Sequence, residues 1–398
     1  MWHMRRGLRM NVLFLAHSFP RFASDPVGSF ILRLAVALGD EEVAVRVVAP
    51  GAPGLARRDV FDGIPVERFR YAPRRLEDLA YTGAMRDRVR ESWGGRLALG
   101  GMLSAGTFAA ARARRQHAAQ LVHAHWWFPG GVVGGIVGRL AGVPLVTTLH
   151  GSDLRVARAS DTARRLFAGV VRRSAALTTV SRWLADESRQ LVPEATPIVA
   201  PMPVAADDFP PRTRPVRDRL LFVGKLNEQK GIVPLLQALA RMRHRPTLDI
   251  VVGVGSDEAP TRRLAVQLGV ADRLRWHPLL EQAALAERYR EATALVVPAV
   301  DEGLGMTAIE SLLSATPVVA FASGGLTDSV VDGETGLLVP ARDVDALAGA
   351  LDRLLDLDDQ GAALGAAGRR RALSLFSPAA AARRYADIYR QVRAASDA

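Results

Sequence analysis

The chain has 398 residues, 49% of them apolar and 23% charged, enough to build two cores and unlike the make-up of a disordered or fibrous protein. Cysteine is absent, which excludes a disulfide framework and a thiolate zinc site and fits a reducing cytosol. The net charge of +11 lies in one half: residues 1–204 carry 28 basic and 16 acidic side chains, residues 205–398 carry 24 and 25.

The opening Met1–Met10, followed by the apolar Asn11 to Ala16, imitates a signal peptide, but the apolar part is short and runs into Pro20-Arg21 without a small-residue cleavage site. It reads as a ragged start before a first strand. Strands are expected at Asn11 to Ala16, Val43 to Ala49, Leu121 to His123, Leu145 to Leu149 and Leu177 to Val180, separated by helical stretches. A second series is expected at Leu220 to Val223, Leu248 to Val252, Leu274 to Trp276, Ala294 to Val297, Pro317 to Phe321 and Gly336 to Val339. Alternating strands and helices predict an α/β protein with two doubly wound parallel sheets. Between the series, Pro193 to Pro215 holds seven prolines and no period, the pattern of a linker. The expected domains are therefore residues 1–204 and 205–376, with a closing helix about 377–398 returning to the first. No apolar run approaches the ~20 residues needed to cross a bilayer.

Arg68 to Arg115 contains 11 arginines against four acids, interleaved with Trp93 and the apolar Leu97 to Ala111. Such a face suits an anionic membrane surface or is simply a solvated helical face. Nucleic acid is not expected as a partner: there is no reading motif, and aromatic residues make up only 6% of the chain.

Lys225 and Lys230 are the only lysines among 52 basic residues, and both lie in Phe222-Val-Gly-Lys-Leu-Asn-Glu-Gln-Lys-Gly231, between a strand and a helix. Two compact ammonium charges with backbone amides at such a turn suit a diphosphate. The second turn of interest is Pro298-Ala-Val-Asp-Glu-Gly-Leu-Gly-Met-Thr-Ala-Ile-Glu310. Gly303 and Gly305 loosen it, and Glu302 and Glu310 accept hydrogen bonds only, so they fit hydroxyl donors rather than phosphate. Together the two turns describe a nucleotide sugar. Asp343-Val-Asp345 opens a helix after Val339-Pro340, where acids serve as caps, so no metal site is expected there.

Gly224-Lys225, Lys230-Gly231, Glu302-Gly-Leu-Gly with Glu310, Ser323-Gly-Gly325 and Asp332-Gly-Glu-Thr-Gly-Leu-Leu-Val339 resemble the retaining glycosyltransferases of family 4, which have the GT-B fold. In the first half the resemblance runs through Gly28, His123-Ala-His125 and His150-Gly-Ser-Asp153. It implies two Rossmann-like domains facing across a cleft, with the donor held by the second. By this resemblance Lys225 and Lys230 neutralise the departing diphosphate, Glu310 takes the ribose hydroxyls, and Glu302 takes the donor sugar. Amides of Gly303, Leu304, Gly305, Met306 and Thr307 reach sugar and phosphate oxygens. Gly224 opens the lysine turn; Gly253 and Gly255 pack close to the nucleotide or are plain turn glycines. The family more often has arginine where Lys225 stands, so a bidentate grip is lost there. Base contacts are expected near Trp276 to Leu279.

In the first domain the resemblance places His150 beside the donor sugar and Gly28 beside the diphosphate, with Val27 in place of a second glycine. Asp153 orients His150 or the acceptor, or caps a helix; His125, Trp126 and Trp127 line the same edge and face the acceptor. The reaction implied is transfer of a sugar from a nucleoside diphosphate sugar to a hydroxyl of a saccharide or lipid-linked acceptor, with retention and without a metal or other cofactor. Cell-surface polysaccharide or glycolipid synthesis, in the cytoplasm or at the inner membrane face, is the expected setting. A nucleotide-sugar epimerase or hydrolase and a non-catalytic sugar-nucleotide-binding protein are the alternatives. A pyridoxal-phosphate phosphorylase is disfavoured because both lysines are committed to the phosphate turn.

Overall fold

A computed structural model describes residues 10–397 apart from 24, 26, 82–84 and 215. Residues 1–9 of the expected ragged start, and the end of the expected linker, Pro215, lie outside the described residues; Met10 opens the first strand. The chain forms two units, 1–203 with 378–398, and 204–377.

The first unit is built on an eight-stranded sheet of β1 (Met10–Leu15), β2 (Val43–Pro50), β3 (Arg58–Phe61), β4 (Ile64–Phe69), β5 (Leu121–His125), β6 (Leu145–Leu149), β7 (Ala176–Thr179) and β8 (Ile198–Val199), in the order β3-β4-β2-β1-β5-β6-β7-β8. All neighbours are parallel except β3 and β4, an antiparallel hairpin in which Arg58 opposes Glu67 and Phe61 opposes Ile64. Asp62 and Gly63 make its turn with φ of 48° and 81°, the left-handed pair that matches the twist of a two-residue hairpin. The central strands β1, β5 and β6 are buried on both faces, which is why they read as continuous apolar runs.

Three strands depart from expectation. The hairpin β3–β4 was not expected, and β8 falls inside the expected linker, where Ile198 and Val199 pair with Thr178 and Thr179. The rest of that segment is also committed. Val204 donates to the Phe376 carbonyl, Phe209 is buried against Tyr289, and the Arg212 amide donates to the Ser314 carbonyl. Prolines here fix φ along a chain that lies on packed surfaces rather than loosening it.

The helix Pro378–Asp397 belongs to the first unit. Tyr385 and Tyr389 on it are fully buried. The Tyr389 hydroxyl lies 2.7 Å from His123 Nδ1, and the Tyr385 hydroxyl donates to the Ala200 carbonyl at 3.0 Å.

The second unit has a six-stranded parallel sheet of β9 (Arg219–Gly224), β10 (Thr247–Val252), β11 (Leu274–His277), β12 (Ala294–Val297), β13 (Val318–Phe321) and β14 (Gly336–Val339), in the order β11-β10-β9-β12-β13-β14. Leu220, Phe222, Ile250, Val296 and Phe321 meet the helix residues Leu235, Leu239, Leu351 and Leu354 in one core. Asp343 caps the helix Val344–Asp356, its carboxylate accepting from the Ala346 amide at 2.8 Å. The chain leaves β9 toward β10 on one side and returns to β12 on the other. The strand order thus reverses between β9 and β12, where open α/β sheets receive ligands. In the first unit the reversal falls between β1 and β5. Among the described residues no helix is long and apolar enough to cross a membrane.

Candidate active site

In the second unit, three loops at the carboxyl ends of β9, β12 and β13 lock together. Gly231 takes φ of 74° and lies so close to Pro298 that a Cβ would overlap its carbonyl oxygen. Beside it the Val300 amide donates to the Gln229 carbonyl at 2.9 Å. On the other flank, the Gly325 amide donates to the Glu302 carbonyl at 2.7 Å and the Asp301 amide to Ser323 Oγ at 3.0 Å. Cβ atoms on Gly324 and Gly325 would strike the backbone of Glu302 and Gly303. Small residues are thus required where the backbones meet.

This packing brings Lys230 and Glu302 together across 72 positions, with Nζ 2.6 Å from Oε2. One ammonium hydrogen is used there, which leaves two donors on a partly exposed group. Lys225 is exposed; its stem packs on Gly253, whose amide donates to the Gly224 carbonyl at 2.8 Å. Gly255 stands apart from this close approach: its φ is 78° with open space around it, so it is a turn residue. Glu310 lies in the second turn of the helix Met306–Leu313, and Tyr289 donates to its Oε2 at 2.8 Å. Burial, reinforced by the Glu310 charge, pushes the Tyr289 phenol well above its ordinary value, so it remains a donor. Gly305 opens the helix at φ 80°, and the amides of Met306 and Thr307 fall in its first turn, where no intrahelical acceptor exists. Gly303 and Leu304 run between them.

Trp276 and His277, near the expected base contacts, are committed to the sheet edge. The Arg262 guanidinium lies 4.1 Å from the Trp276 ring, and His277 Nε2 is 2.6 Å from Asp249.

In the first unit, residues at the carboxyl ends of β1, β5 and β6 form a cluster of rings. His150 Nε2 is 3.3 Å from His125 Nδ1, and the His150 ring centroid lies 4.5 Å from Trp126 and 5.3 Å from Phe30. His17 packs edge-on against Trp126 at 4.3 Å. Burial, and then the neighbouring imidazoles, hold His125 and His150 well below the usual histidine range, so both are neutral at neutral pH. Burial alone takes His17 down to about 4. Such imidazoles exchange hydrogen bonds rather than charge. Asp153 accepts from the amides of Gly151 at 2.8 Å and His150 at 3.2 Å, which fixes the backbone of the His150 turn. Burial pushes its carboxyl up to about 6. Gly28 has φ of 73°, and a Cβ there would come 2.6 Å from the Ser18 carbonyl oxygen.

Two expectations are corrected. Trp127 does not line this edge: it is fully buried, packs on Phe167 and donates from Nε1 to the Asp153 carbonyl at 2.8 Å. Its neighbour Trp126 takes φ of 67°, which swings successive side chains apart. Arg68 is not part of a surface face, being buried with its guanidinium donating to the Tyr81 hydroxyl and the Pro20 carbonyl. Residues that sequence reasoning passed over are Tyr289, Phe30 and His17. Of these only His17 carried a signal, as a histidine placed just after a strand like His125 and His150.

A pair of Rossmann-like parallel-sheet units, each with its loops gathered at a topological switch point, defines the GT-B class. Residues 206–371 match the profile of the glycosyl transferases group 1 family, and residues 27–202 match that of the glycosyl transferase 4-like domain. A D-inositol 3-phosphate glycosyltransferase of Geodermatophilus obscurus is 36% identical over 318 residues, 71% of this chain and 69% of that protein. The protein of that name from Acidothermus cellulolyticus is 36% identical over 270 residues, 59% of each chain. The chain thus spans about three fifths of the length of that relative. Among solved structures, sucrose-phosphate synthase from Thermosynechococcus elongatus superposes with a TM-score of 0.77 at 24% identity, covering 97% of this chain and 100% of that one. Anabaena Alr3699/HepE in complex with UDP and glucose superposes with a TM-score of 0.72 at 18% identity, covering 96% and 100%. The chain belongs to the glycosyl transferases group 1 family, of the family 4 type.

Proposed function

We propose that this protein transfers a sugar from a nucleoside diphosphate sugar to an acceptor hydroxyl and retains the anomeric configuration. The observation that carries the reading is the Lys230–Glu302 pair, an ammonium with donors to spare beside a hydroxyl-accepting carboxylate at the switch point of the second sheet. The ligands printed for the HepE complexes, UDP with glucose and UDP-glucose, have this mixture of anion and hydroxyls. Lys225, Lys230 and the amides of Gly303 to Thr307 hold the diphosphate, Glu310 the ribose and Glu302 the sugar. His150, kept neutral, gives a hydrogen bond to the transferred sugar. No carboxylate of these loops is assigned as a covalent nucleophile, so the departing phosphate takes the acceptor proton as the hydroxyl attacks from the same face. No metal takes part in this scheme.

The acceptor is proposed to be a saccharide or lipid-linked hydroxyl in polysaccharide or glycolipid synthesis. A thermal-shift panel of UDP-, GDP- and ADP-sugars tests the donor, followed by product analysis with acceptors that include D-inositol 3-phosphate, the acceptor in the relatives' name. A donor that stabilises the protein and yields a glycoside of unchanged anomeric configuration is expected. Donor binding without transfer to any acceptor, or an inverted product, would overturn the reading.

A further inference from the structure

In the first unit, away from the loops after β1, β5 and β6, a cavity of about 530 Å³ opens between the hairpin β3–β4 and the helix Trp93–His117. Five arginines line it, Arg57, Arg58, Arg68, Arg70 and Arg112, against the single carboxylate of Glu67. That carboxylate is already occupied by Arg112. Arg70 leans out to Glu77 at 2.7 Å, and the exposed side chains of Arg57 and Arg58 have no partner among the described residues. Arg68 is 3% exposed and its guanidinium is turned to the Tyr81 hydroxyl and the Pro20 carbonyl, so it contributes positive charge near the cavity. Cations gathered in one hollow repel each other. A tetrahedral anion with several acceptor oxygens relieves that repulsion, and guanidinium forks match it in geometry.

We propose that this cavity is a second anion site that binds a phosphate group, as a phosphomonoester or phosphodiester. It belongs to the other unit from the donor loops, and within the first sheet β2 stands between β4 and β1. The phosphate has two possible sources with the same chemistry: a soluble phosphorylated molecule or a lipid headgroup. The helix beside the cavity bears on the second, because Trp93, Leu97 and Phe108 are 77%, 72% and 69% exposed. At 100° per residue they fall within about 60° of one another on the helix surface. Phe108 itself lines the cavity, with the Arg112 guanidinium 6.0 Å from its ring.

The test measures inorganic phosphate binding to the full chain by calorimetry, and sedimentation with phosphatidylglycerol and with phosphatidylcholine vesicles. Each is repeated with Arg57→Ala/Arg58→Ala and with Lys225→Ala/Lys230→Ala. The arginine variant should weaken binding about tenfold or more while leaving any thermal shift by UDP unchanged, because charge-assisted bonds are lost only in the cavity. Phosphate binding that the arginine variant loses and the lysine variant keeps identifies a soluble ligand. Binding only to phosphatidylglycerol vesicles, lost in the arginine variant, identifies a headgroup. No binding of either probe, binding indifferent to Arg57 and Arg58, or phosphate binding lost only with the lysines would overturn the proposal.

Discussion

At the scale of single residues the proposed reaction rests on Lys230, bonded to Glu302, and on Glu310, which accepts from Tyr289. Lys230 gives one hydrogen to Glu302, and in the proposed reaction its other two serve a diphosphate whose charge grows as the glycosidic bond breaks. Lys230→Ala should therefore lower kcat by about a hundredfold while weakening donor binding by less than about tenfold. Steady-state kinetics with donor titration separates the two, and an equal loss in both would remove Lys230 from the reaction. Glu310 is better probed by Gln than by Ala, since an amide oxygen still receives the Tyr289 hydroxyl and spares a buried donor. Glu310→Gln should keep thermal stability within about 1 kcal/mol and weaken UDP binding by about 1.5–3 kcal/mol, the scale of hydrogen bonds to a charged group. Calorimetry showing undiminished UDP affinity would refute the ribose contact.

Among elements, the turns after β9 and β12 determine where these side chains stand. Gly231 is held by backbone contact with Pro298 and by a left-handed φ, so Gly231→Ala should cost about 2–4 kcal/mol and separate Lys230 from Glu302. Gly255 has a similar φ but open surroundings, so Gly255→Ala should cost only about 1 kcal/mol. Urea denaturation of the two variants measures the contrast; equal costs would mean that the contact with Pro298 yields freely. The hairpin β3–β4 shows a different limit of sequence reading. Apolar runs reveal strands buried on both faces, and Arg58–Phe61, with its charged residues, is passed over by that criterion. The Asp62-Gly63 pair was the legible signal for it.

The whole molecule has a pH response set by the imidazoles within its first unit. Burial takes His123 down to about 3 and holds His125 and His150 well below the usual range. Below pH 6.5 the unfolded chain binds protons that these folded sites refuse, so stability is full above that pH and falls as pH drops toward about 3. Asp153, raised from 3.8 to about 6, works in the opposite sense between those values, one group against these three histidines and His17, which burial takes down to about 4. Each fully contributing histidine is worth about 1.4 kcal/mol per pH unit, so His123 alone should cost about 2 kcal/mol between pH 6.5 and 5. Urea unfolding at pH 7, 6 and 5 measures the slope, and a flat profile would show that the imidazoles are protonated in the folded state.

By itself the sequence determined the two α/β series, the placement of the lysine turn and the Glu302 turn after buried strands, and the family these motifs mark. Those features are local, since strand runs, turn glycines and a strand-to-helix turn are written in neighbouring residues. Only the tertiary structure decided which distant groups meet: Lys230 with Glu302, Tyr289 with Glu310, His123 with Tyr389 across 266 positions, and five arginines around one cavity. It also packed Trp127 on Phe167, apart from the ring cluster that holds Trp126, and drew Arg68 out of a basic stretch into the interior. Such partnerships depend on sheet order and on the packing of loops over strand ends, and the spacing of residues along the chain does not encode them.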